Sequence, residues 1–110
     1  SGIYSSIDEV TEGVVNFRAA GGDRVILANV FTDLRTRPLR HPLIERAKIN
    51  LVCSPDEAQD RLEDIAKSGI DDLLLICPFD DPIQLEQIRR LVPDTWLSSY
   101  YNSDQAILNC

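Results

Sequence analysis

A chain of 110 residues, 44% of them hydrophobic, is the size of one domain and holds enough apolar side chains for a core without staples. Gly 5 and Pro 6 exclude a collagenous or low-complexity chain, and the longest apolar run, Leu73–Pro78, falls far short of the ~20 residues needed to span a bilayer. A net charge of −7 repels nucleic-acid phosphates and anionic lipid surfaces, so neither nucleic acid nor membrane is expected as a partner.

In chain order, residues 5–20 read as a helix. Ser6 and Glu9 have capping-box spacing, and Ile7, Val10, Val14 and Phe17 form one apolar stripe before Gly21-Gly22 ends it. Residues 24–33 are nearly continuously apolar, the pattern of a strand covered on both faces. Pro38 and Pro42 break 34–47, where PLIERA allows one or two helical turns. A short strand at 48–53 leads to Ser54, Pro55 and Glu57, an N-cap, first-turn proline and N3 acid that open a helix over 55–67. Residues 71–77 make a third strand. Its LLLIC lacks polar alternation, which predicts burial of both faces. Asp81 and Pro82 then start a helix at about 82–92, stopped by Pro93.

Strands separated by helix-length crossovers predict an α/β fold with a parallel sheet of about three to four strands built from βα units. The whole chain, 1–110, reads as one α/β domain, with βα units over 5–93 and an aromatic tail over 94–110 that carries Trp96, Tyr100 and Tyr101.

Chemistry is sparse. There is no GxGxxG, P-loop, HExxH, CxxC or GxSxG. Arg35, Arg37 and Arg40, with His41, form a local cationic loop, read either as a solvated loop or as a contact for a nucleotide or flavin phosphate. In α/β folds, ligands gather at the carboxyl ends of strands, and that rule singles out Asn29, Thr32, Asp33, Ser54, Phe79 and Asp80. Asp71-Asp72 and Asp80-Asp81 are adjacent acids. Neighbours on a strand point to opposite faces, which gives a catalytic dyad or metal site weak support; Asp81 is better explained as a helix cap, and no metal is expected. Three cysteines, an odd number, argue against a disulfide framework. Cys53 and Cys77, in apolar runs, read as core thiols, and with no basic-then-apolar leader a cytoplasmic setting is expected.

Val52–Pro93 resembles the end of a luciferase-like flavin-dependent monooxygenase. The resemblance rests on Ser54-Pro55-Asp56-Glu57, Ser68-Gly69, Asp71-Asp72 followed by Leu73–Ile76, and Leu91-Val92-Pro93, with Ala28–Leu34 a looser match. Cys53 stands where that family usually carries glycine. The resemblance implies part of a TIM barrel, flavin mononucleotide or a deazaflavin as cofactor, and Ser54 and Phe79 near the ligand. A whole barrel needs ~250 residues. The sequence therefore suggests an oxidoreductase portion that is catalytically incomplete alone, with cofactor-binding candidates Arg35, Arg37, Arg40, Asn29, Ser54 and Phe79 and no assignable catalytic residue. The competing reading is a non-catalytic α/β module without cofactor. Under either, open strand edges favour a homodimer or higher homo-oligomer.

Overall fold

The structure, a computed structural model, describes residues 2–38, 40–77, 81, 83–101 and 105–110. A 3-10 turn (Gly2–Tyr4) precedes α1 (Ile7–Ala19), β1 (Ile26–Asp33), α2 (Pro42–Arg46), β2 (Leu51–Val52), α3 (Pro55–Lys67), β3 (Asp72–Ile76) and α4 (Ile83–Leu91). A second 3-10 turn (Asp94–Trp96) leads into β4 (Leu97–Tyr101) and β5 (Gln105–Asn109).

The helix termini follow local chemistry. The Ser6 hydroxyl accepts from Glu9 N–H while the Glu9 carboxylate accepts from Ser6 N–H, a closed capping box. At the other end of α1, Gly21 takes a positive φ of 94°, and Gly21 and Gly22 N–H donate to the Arg18 and Phe17 carbonyls. Those two bonds satisfy carbonyls that the helix end would leave open. Ser54 caps α3 by accepting from Glu57 N–H.

The fold is α/β, with one five-stranded mixed sheet in the order β2-β1-β3-β5-β4. β1 runs parallel to both β2 and β3, as the crossover rule predicts. The expectation of an all-parallel sheet needs correcting, because β5 pairs antiparallel with β3 and with β4. The tail is not an appendage but two strands of the sheet. β4 and β5 follow each other too closely for the dozen or more residues that a parallel crossover needs, so they pair antiparallel. The strand order also differs from a barrel wall, where successive strands are neighbours. Here β1 separates β2 from β3.

One face of the sheet carries the core. Leu27, Val30, Leu73, Leu75 and Leu108 are buried in one cluster with Val14 of α1, Leu62 and Ile65 of α3 and Ile88 of α4. α3 touches both α1 and α4, so these helices form a single layer. β1 keeps both Leu27 and Val30 on that face through a bulge. Leu27 pairs with Leu73 and Val30 with Leu75, leaving Ala28 and Asn29 opposite Leu74 alone. Asn29 absorbs the extra residue at φ 62°, in the left-handed region that asparagine tolerates better than most side chains.

The second face corrects the expectation that LLLIC is buried on both sides. Leu73 and Leu75 are fully buried, whereas Leu74 and Ile76 are only half-buried. By register, the Leu74 and Ile76 side also carries Ile26, Phe31 and Ile107. Ile26 is 59% exposed, and α2, in the β1–β2 connection, buries none of its residues.

Candidate functional site

The chain leaves β1 toward β2 on one side, while from β3 it continues to strands on the other side. The carboxyl ends of β1 and β3 therefore flank a topological switch point, the place where open α/β sheets form ligand crevices. Thr32 and Asp33 lie there at 1% and 3% exposure, with Leu34 and Cys77 also buried.

A polar cluster ties this edge together. Asp33 Oδ1 accepts from Arg35 Nε at 3.0 Å, Arg35 N–H at 3.2 Å and Gln84 Nε2 at 3.1 Å, and Asp33 Oδ2 accepts from Arg35 Nη2 at 2.9 Å. The Gln84 amide also accepts, through Oε1, from Leu34 N–H. Gln84 is 2% exposed and thus bolts α4 to the end of β1 with both ends of its side chain. A buried carboxylate demands such partners, because an unpaired charge in the interior is strongly unfavourable.

The residues singled out by sequence scatter. Arg35 reaches the cluster, with its charge held by Asp33. Arg40 is exposed and pairs with the Glu45 carboxylate at 2.6 Å, away from Asp33. Arg37 is exposed. His41 is the N-cap of α2, its Nδ1 accepting from Leu43 N–H at 3.1 Å. Asn29 is displaced from the predicted carboxyl end. It sits at the bulge inside β1 and is exposed. Ser54 is exposed at the start of α3, where its hydroxyl serves the helix. Phe79, Asp80 and Pro82 lie outside the described residues.

The acidic pair Asp71-Asp72 sits at the opposite, amino-terminal end of β3 and acts as a latch. Asp71 Oδ2 accepts from Val25 N–H and from Arg18 Nη2, both at 2.8 Å. Asp72 takes a forked contact from Arg24, with Nη2 at 2.7 Å from Oδ1, and a 2.8 Å bond from Asn109 Nδ2. The backbone bond from Val25, and then Arg18, hold Asp71 below the usual carboxylate range. The Arg24 bond, and then Asn109, do the same for Asp72. Burial raises the Cys53 thiol and, aided by Asp72 and Asp71, pushes Cys110 up to about 11, which leaves both as poor nucleophiles.

Among the described residues, no group of three or more His, Cys, Asp or Glu side chains gathers as metal ligands would, and no helix is long and apolar enough to cross a membrane. Sequence reading missed Gln84, although a polar residue beside Leu85 in the apolar stripe of α4 was a visible sign. It also missed Arg18, Arg24 and Asn109, which carry no sequence signal distinct from ordinary surface residues. Comparison with protein-family models, curated proteins and solved structures found no match.

Proposed function

We propose that the chain is a flavin-dependent oxidoreductase module, like the luciferase-like monooxygenases in its motifs but built on an open mixed sheet instead of a barrel, that binds the phosphate end of a flavin mononucleotide or deazaflavin cofactor beside the carboxyl ends of β1 and β3. Catalysis would then require a second chain. The observation supporting this reading is the switch point between those strand ends, flanked by the Arg35–Arg40 loop. Arg37 and Arg40 are the phosphate contacts of choice. Arg37 is exposed, and the Glu45 partner of Arg40 is exposed and readily displaced. Arg35 is held by buried Asp33, so its part is to order the loop. These residues fit a phosphate. Among the described residues none fits the flavin ring, so no catalytic step is assigned to this chain.

The test is a visible absorption spectrum of the purified protein, followed by fluorescence titration with flavin mononucleotide and, separately, with a deazaflavin. Saturable quenching that weakens about tenfold in Arg37→Ala, the loss expected for one charge-assisted bond to phosphate, supports the proposal. Absence of both chromophore and quenching overturns it. The second reading, a non-catalytic module, draws on the mutual bonding of Asp33, Arg35 and Gln84, which makes the strand-end cluster a brace for the fold.

A further inference from the structure

We propose that His41 is a pH-operated cap on α2: the neutral ring closes the helix, and protonation of the ring opens it. This inference is independent of the flavin reading.

The geometry assigns the ring proton. His41 Nδ1 stands 3.1 Å from Leu43 N. A backbone N–H only donates, so Nδ1 is the acceptor and the single ring proton of the neutral form sits on Nε2. Protonation puts a second N–H on Nδ1, facing the Leu43 N–H that the ring had served, and the bond becomes an opposition of two donors. Serine, threonine and asparagine cap helices without this liability, because their acceptors do not titrate. Histidine is the side chain that ordinarily changes charge between pH 5 and 8.

Little else holds α2 closed. It has five residues and buries none, far below the ~12–15 residues at which isolated helices become marginally stable. Pro42 at the first position has no N–H, so the bond to Leu43 and the bond from Glu45 N–H to the His41 carbonyl close the first turn. The charged groups around His41 belong to its own segment: Arg37 and Arg40 before it, Glu45 and Arg46 after it. Among the described residues, no hydrogen bond or ion pair joins 40–46 to another element.

The ion pair of Arg40 and Glu45 straddles the cap at 2.6 Å. While the turn is closed, Glu45 Oε1 occupies both Nε and Nη2 of Arg40, so the imidazolium must compete with Arg40 for that carboxylate. Once the turn opens, Glu45 is no longer placed against Arg40. Arg37, Arg40 and the imidazolium then stand as three cations within five residues. The device thus converts a fall in pH into added positive charge on the loop that leaves β1.

The chain has one histidine, so its titration is read without ambiguity. Nuclear magnetic resonance of the full chain, labelled with carbon-13 and nitrogen-15 and titrated from pH 8 to pH 5, follows the His41 ring, the Cα shifts of 42–46 and the Arg40 Nε–H signal. At pH 8 the ring proton should be on Nε2 and the Cα shifts helical. They should move toward coil values with the midpoint of the ring, with the Arg40 signal following. The ratio of closed to open turn should fall about fivefold, the usual worth of a cap. His41→Asn, a cap that does not titrate, should hold the helical shifts throughout, and His41→Ala should show the open values already at pH 8. Both change an exposed side chain, so the rest of the spectrum should stay in place. Helical shifts that do not move through the titration of the ring overturn the proposal. So does a ring proton on Nδ1 at pH 8, or a change that persists in His41→Asn.

Discussion

At the scale of single residues, two positions carry more than their side chains suggest. Asn29 holds φ 62° so that β1 can turn both Leu27 and Val30 toward the helices. A β-branched residue there should cost about 1–2 kcal/mol, the penalty of the left-handed region, whereas glycine should be neutral or slightly stabilising. Urea unfolding of Asn29→Val and Asn29→Gly measures both. Equal effects would mean that the bulge does not depend on this backbone conformation. Arg35 is the cation for a carboxylate buried to 3% exposure. Arg35→Met should destabilise by about 2 kcal/mol, less than the 3–5 of a fully buried pair because the Arg35 side chain keeps 29% exposure. Adding Asp33→Asn should recover part of the loss. A strictly additive double mutant would show that the two side chains do not couple.

At the scale of elements, a polar latch at the amino-terminal edge adds to the apolar core, with Asp71 and Asp72 gathering α1, the start of β1 and the end of β5. Both carboxyls lie below the ordinary value in the folded chain and return to about 3.9 on unfolding. The unfolded state therefore binds more protons on acidification. The latch's contribution is complete above about pH 5 and is lost as pH falls through the folded values. The gap in urea midpoint between wild type and Asp72→Asn should be widest at neutral pH and should narrow progressively as pH falls below about 4. A gap that stays constant down to pH 3 would remove the electrostatic explanation. At this scale the sequence was informative. The helix starts at Ser6 and Ser54 and the stop at Gly21 were legible because caps satisfy backbone groups within a few residues. The latch was not, because Asp72 and Arg24 stand 48 residues apart.

For the molecule as a whole, the carboxyl-terminal segment changes status. Residues 94–110 looked like an aromatic tail, yet Leu108 is 1% exposed and pairs with Leu73 in the centre of the sheet. Leu108→Ala should cost about 3 kcal/mol, the range for a fully buried leucine, against almost nothing for a residue in a loose tail. Thermal or urea denaturation decides between them. The tail escaped sequence reading because β4 begins one residue after Trp96 in a polar, aromatic stretch with no apolar alternation, LSSYY. Its strand character comes from pairing with β5.

What the sequence by itself determined is local: where helices begin and end, and that β1, β2 and β3, linked by crossovers, run parallel. Caps and apolar periodicity act over one to four residues and therefore leave a readable mark. Only the tertiary structure decided the strand order, the antiparallel half of the sheet, and the joining of Asp33 to Gln84 across 51 residues. Such contacts follow from how layers pack to bury Leu73, Leu75 and Leu108, and packing at that separation imposes no period on the chain.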